Sequence, residues 1–134
     1  MDRISWQKYF IDIASLSSIR SPCSRLKVGC VLVKENRMIS MGYNGFLSGC
    51  PHKSIIVDNH EQATIHAEIN AITDAAKRGV SVDGSTAYIT HHPCLNCYKA
   101  LAASGVQQII YAEDYKNDPI IQDLDYDLPI RKIS

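Results

Sequence analysis

Several things are missing from this chain. It carries no apolar stretch long enough to span a bilayer, and its start, MDRISWQKYF, lacks the basic-then-apolar order of a secretion signal. A membrane-embedded protein is thereby excluded as an expectation, and a cytoplasmic one is favoured. An excess of one charge is also missing: fourteen Lys and Arg face fourteen Asp and Glu. Without a global positive field the chain has little to gather a long nucleic acid, although a local basic patch could still hold one phosphate. There is no internal repeat and no low-complexity segment, which argues against a solenoid or a linker.

What is present suits one folding unit. At 134 residues the chain can bury one hydrophobic core. The expectation is a single domain over 1–134, with its core at about 4–117 and a short tail at 118–134. Trp6, Phe10, Ile13 and Leu16 recur at helical spacing, so an amphipathic first helix is expected, broken near Pro22. VGCVLVK, residues 28–34, reads as a strand buried on both faces, and ENR turns it into a second strand, MISMGYN. From Gly45 to Thr64 only SIIVD is able to form anything regular, and a loop of that length inside a compact domain is usually functional. A helix from Ile65 to about Lys77 closes at Gly79. TAYIT is a strand, CLNCYKALAASG a helix, and QQIIYA another strand. The tail offers a short helix or an edge strand. This order argues an α/β sandwich around a mixed sheet.

Two segments carry ionisable groups where core residues are expected. IHAEINAI holds His66 and Glu68, and HHPCLNCYKAL holds Cys94 and Cys97. Taken alone, His66 reads as a hydrogen-bonded core histidine, and the Cys-x-x-Cys pair reads equally as a redox couple. Together, His66, Cys94 and Cys97 form a nitrogen and sulfur ligand set that zinc prefers, and three ligands leave a fourth tetrahedral position open. Residues two apart on a helix lie on different faces, so Glu68 is not a fourth ligand. It stands beside the open position as a proton carrier. His-x-Glu followed by Pro-Cys-x-x-Cys is the signature of zinc deaminases acting on nucleobases, and His66-Ala67-Glu68 with Pro93-Cys94-Leu95-Asn96-Cys97 matches it throughout.

Beyond that motif, RISWQKYF, RSPCSRLKVG, GYNG, TIHAEINAI, YITHHPCLNCYKAL and YAEDYKN resemble the cytidine and deoxycytidylate deaminase superfamily over nearly the whole chain up to Pro119. Within it the likeness is greatest to dCMP deaminases of the late-competence operon and viral kind. The resemblance implies a three-layer sandwich with a five-stranded mixed sheet and helices on both faces. It implies a zinc-dependent homo-oligomer, dimer or hexamer, that hydrolyses dCMP to dUMP and ammonia and so supplies dUMP for dTMP synthesis. Activity on dCTP is a further expectation.

By the same resemblance Glu68 moves the protons of the reaction. Ala67 and Asn44 would hold base and sugar, though YNGF is also good turn chemistry. Ser24, Arg25, Tyr115 and Lys116 would face the phosphate, though such residues are ordinarily solvated surface groups. Cys23, Cys50, His52 and His60 occupy places from which relatives build a second, structural zinc. Cys30 reads as core. Two departures stand out: His92 sits where an apolar aromatic is common, and the segment between GYNG and TIHAE is short, which puts nucleotide allostery in doubt. The alternatives are a deaminase of another base, such as a tRNA adenosine or guanine, and a non-catalytic zinc-stabilised module linked to DNA uptake.

Overall fold

A computed structural model describes residues 2–134. Ser5 opens the first helix, α1 (Trp6–Ser18), by accepting the Lys8 amide on its side chain, the ordinary chemistry of a helix start. Strands β1 (Gly29–Lys34) and β2 (Arg37–Tyr43) follow as an antiparallel hairpin. Their turn residues Glu35 and Asn36 both take positive φ, 53° and 58°, the geometry that matches a two-residue turn to strand twist.

The segment expected as a loop contains two short pairs of strands. β3 (Gly45–Phe46) pairs with β6 (Thr64–Ile65), and β4 (Ile56–Val57) pairs with β5 (His60–Glu61) around a second tight turn at Asp58 and Asn59. Helix α2 (Ala67–Arg78) ends at Gly79 in the left-handed region, as the Gly stop in the sequence leads one to expect. Then come β7 (Thr86–His91), α3 (Leu95–Ala103) and β8 (Gln108–Glu113). The tail supplies both elements offered for it, a one-turn helix α4 (Ile120–Asp123) and β9 (Ile130–Lys132). Because β9 is the fifth strand of the sheet, the tail belongs to the sheet and is more than an appendage after residue 117.

The central sheet runs β2-β1-β7-β8-β9 and is mixed: β1 is antiparallel to both neighbours, whereas β7, β8 and β9 run parallel. Alternation along its strands makes two cores. Cys30 and Leu32 of β1, Ala87 and Ile89 of β7, and Ile109 of β8 pack with α2 and α3. Val31 and Val33, Tyr88 and Ile110 point the other way and pack with α1. With helices on both faces, β1 is buried on both, as its unbroken apolar run implies.

The inner face of α1 differs from the one its large apolar residues mark. Phe10, Ile11, Ala14 and Ser17 are buried, while Trp6 and Leu16 stand outside at 53% and 68% exposure. The reason is distance. A Cβ on Gly29 would lie 2.0 Å from the Ala14 carbonyl oxygen, so the helix rests on β1 through small residues.

Gly42 plays the same part for α2, since a Cβ there would lie 2.4 Å from the Ala67 carbonyl oxygen and 2.5 Å from the Ala71 nitrogen. Both atoms are backbone and cannot swing aside. Gly42→Ala is therefore expected to destabilise the fold by about 3 kcal/mol, the upper end of overpacking effects, seen as a fall of roughly 10 °C in Tm by calorimetry. It should also lower activity by displacing the first turn of α2.

Candidate active site

Helix α2 begins after the short strand β6, and α3 begins after β7. Both N-termini open on one cavity of about 560 Å³. His66 is the N-cap residue of α2 and Cys94 that of α3, each in extended backbone, and neither side chain caps its helix. They turn towards each other instead. His66 Nδ1 lies 3.3 Å from Cys97 Sγ and 3.6 Å from Cys94 Sγ.

Among the described residues these three form the one cluster of metal-ligating side chains, their ligand atoms all within 4.8 Å of one another. The spacing can be tested against zinc. Tetrahedral bonds of about 2.0–2.1 Å to nitrogen and about 2.3 Å to sulfur require an N···S separation of about 3.6 Å, so the donor set fits in kind and in geometry. The ion would sit against two helix N-termini, whose dipoles favour thiolate.

The acidities of these side chains agree with that reading. Hydrogen bonds donated to its sulfur, first by the Cys97 thiol and then by the His66 ring, bring the Cys94 thiol down to about 4 against the upward push of burial. The hydrogen bond between the two thiols, with burial, holds Cys97 up. His66 is raised chiefly by its hydrogen bond with Cys94. Glu68, in the first turn of α2, lines the cavity at only 4% exposure, and burial pushes its carboxyl up from the usual range. A carboxyl that takes up a proton readily, beside a metal site it does not ligate, is suited to general acid and base work.

The other expected site residues mostly share this cavity. Ser24, Arg25, Ala67, Asn44, Tyr115 and Lys116 all line it. Asn44 is already committed to the backbone: its Oδ1 accepts the Val28 amide at 2.9 Å and its Nδ2 donates to the Leu26 carbonyl at 2.8 Å. It fixes the loop that carries Ser24 and Arg25, and keeps one hydrogen and one lone pair for a ligand. The loop after β8 is held by Asp114, which accepts from Tyr111, Asn117 and Lys132. The Lys132 ammonium, first among these, pulls its carboxyl down to about 2. Lys116 Nζ lies 5.3 Å from the centre of the Tyr115 ring.

The second zinc set is not brought together. Among the described residues no three of Cys23, Cys50, His52 and His60 lie within 4.8 Å. Cys23 Sγ turns to the Asn44 carbonyl at 3.9 Å, the His52 ring stacks on Phe46 at 5.0 Å, and Cys50 and His60 are exposed. The residues come from separate segments that make other contacts, and sequence spacing carries no record of that. His92 does line the site, its ring edge-on to Tyr111 at 4.9 Å. Glu61 and His91 are functional candidates that the sequence reading passed over. Glu61 accepts the Ile55 and Ala63 amides and the Ser54 hydroxyl, and so pins the β4–β5 hairpin at the cavity edge.

No helix is long and apolar enough to cross a membrane among the described residues. The family model described as the cytidine and deoxycytidylate deaminase zinc-binding region matches residues 4–113. ComE operon protein 2 of Bacillus subtilis (strain 168) is 44% identical over 128 residues, covering 92% of this chain and 68% of its own. The deoxycytidylate deaminase of Mycobacterium phage D29 is 35% identical over 129 residues, covering 85% and 99%. The crystal structure of dCMP deaminase from the cyanophage S-TIM5 in complex with dCMP and dUMP superposes with a TM-score of 0.88 at 31% identity, over 99% of this chain and 100% of that one.

Proposed function

The chain belongs to the cytidine and deoxycytidylate deaminase family with a zinc-binding site, and is a hydrolytic deaminase; from that premise we propose that its substrate is dCMP, converted with water to dUMP and ammonia. The observation that carries this reading is one cavity whose lining joins a His-Cys-Cys ligand set and a buried carboxyl to the cationic side chains Arg25 and Lys116. Such a lining suits a ligand that joins a base to a phosphate group. Zinc, held by His66, Cys94 and Cys97, supplies a Lewis acid that lowers the pKa of water.

The protein's own groups do the rest. Glu68 takes the proton released as water adds to C4 and gives it to N3, then takes the proton of the new C4 hydroxyl and gives it to the amine, so that ammonia leaves as the C4 carbonyl forms. Burial suits it to this, because a carboxyl held above its usual range takes up a proton more readily than an exposed one and can still give it back. Ala67, at the open first turn of α2, offers backbone to the base, and Asn44 offers its remaining hydrogen and lone pair to the sugar. Arg25 has no ion-pair partner among the described residues, which leaves its guanidinium for phosphate.

The reading extends to a place in pyrimidine nucleotide metabolism, supplying dUMP for dTMP synthesis, with dCTP as a second substrate. It also extends to a homo-oligomer that covers the exposed Trp6, Tyr9 and Leu16 of α1.

Zinc-loaded protein assayed with dCMP, cytidine and dCTP tests it. Two charge-assisted phosphate contacts at about 1.5 kcal/mol each predict roughly a hundred-fold higher kcat/KM for dCMP than for cytidine. Arg25→Ala should reduce that preference about ten-fold. No turnover of any cytosine nucleotide would sink the proposal.

A further inference from the structure

His91 closes β7 and lies in register with Glu113 at the end of β8. Its ring lines the cavity, and both of its nitrogens are occupied elsewhere. Nδ1 is 2.7 Å from Thr90 Oγ1, and Nε2 is 3.1 Å from Glu113 Oε2. Thr90 Oγ1 also accepts the Gly29 amide at 3.1 Å.

These distances fix the hydrogens of the neutral ring. A lone pair on Nε2 would face a carboxylate, so Nε2 carries the hydrogen and donates it to Glu113. Nδ1 then accepts from the Thr90 hydroxyl. A line of donors thus runs from the Gly29 amide through Thr90 and His91 to Glu113, across β1, β7 and β8. No ring N–H is left for a ligand, and what the imidazole offers the cavity is its carbon surface, held at a set angle.

Tyr115 stands edge-on to that ring with centroids 6.1 Å apart, and the ammonium of Lys116 lies near the Tyr115 ring in turn. We propose that His91 is a positioning residue for the nucleotide: a ring locked between Thr90 and Glu113 that seats Tyr115, and through it Lys116, at the phosphate end of the cavity. This rests on the dCMP reading above. His91 makes no hydrogen bond to the metal ligands and moves no proton in the reaction, so it acts on how the substrate is held.

The test uses zinc-loaded protein and three variants. His91→Phe keeps a ring and loses both hydrogen bonds, His91→Gln keeps a donor for Glu113, and Glu113→Ala removes the partner while leaving the ring. His91→Phe is expected to raise KM for dCMP about ten-fold, the effect of one lost charge-assisted bond, with kcat within about two-fold and zinc content intact. His91→Gln should recover most of the loss. Glu113→Ala should raise KM several-fold alone and add nothing to His91→Phe, the non-additivity expected of one coupled pair.

An unchanged KM in His91→Phe, or equal falls in kcat and zinc content, would overturn the proposal while leaving dCMP deamination standing. Strictly additive effects of the two substitutions would overturn it as well. If the wild type turns over cytosine in another compound and not in dCMP, the functional reading falls and this one with it. Should His91→Phe fail to fold, His91→Gln and Glu113→Ala still read the KM against kcat split.

Discussion

Replacing Glu68 with Ala should abolish turnover, lowering kcat by about 10⁴-fold, the upper end of what one general acid–base group supplies, while zinc content stays at one per chain. The upper end applies because the same carboxyl serves more than one proton transfer. Zinc should stay because Glu68 is not among the three clustered ligands. The stability result distinguishes this residue from an ordinary core position. Glu68 is 4% exposed and its ionised form is disfavoured by burial, so Glu68→Gln, which keeps the shape and removes the charge, should fold at least as well as wild type. Dead enzyme with normal zinc and an equal or higher Tm is the expected pattern. A Gln variant retaining a tenth of the activity would remove Glu68 from the chemistry, and loss of zinc in both variants would make it part of the metal site.

Zinc removal is expected to have the next largest effect. Prolonged chelation should eliminate turnover, and added zinc should restore it, whereas magnesium or calcium, which prefer oxygen ligands, should not. A ligand present at a thousand times its Kd stabilises the folded state by about 4 kcal/mol. Stripping the ion should therefore lower Tm by roughly 10 °C or more. The thiols offer an independent readout. Cys94 is partly exposed with its pKa brought down to about 4, while Cys97 is buried at 1% exposure. An alkylating reagent should modify Cys94 of the chelated protein first and leave the zinc-loaded site untouched. Activity that survives complete chelation would refute the metal-dependent reading.

Much of this site was legible in the sequence because its chemistry sits in short, contiguous segments. His66, Glu68, Cys94 and Cys97 lie at helix starts, where local spacing and local geometry coincide. The stop at Gly79 and the doubly buried β1 were legible for the same reason. What escaped depends on partners distant in the chain. The buried face of α1 follows from the close approach of Ala14 to Gly29, and a pattern weighted by large apolar residues picks Trp6 and Leu16 instead. The pairs β3–β6 and β4–β5 are two residues long, too short to show any period. β9 is held in the sheet by its pairing with β8 and has no apolar alternation of its own. His91 was passed over because its partner Glu113, and the Gly29 amide that Thr90 accepts beside it, become neighbours only when the sheet forms. The second zinc set shows the converse: four residues of suitable kind whose surrounding contacts lead them apart.

The positions of His66 and Cys94 at the heads of their helices set two kinds of selection against each other. Ser, Asp or Asn at an N-cap strengthens a helix by about 1 kcal/mol, and both helices forgo this. A search for tougher variants guided by helix-capping rules or by a stability screen would be drawn to those two sites, since each looks like an uncorrected flaw. Every improvement accepted there would be a ligand lost. An engineering campaign on this scaffold should hold residues 66 and 94 fixed and take its gains elsewhere.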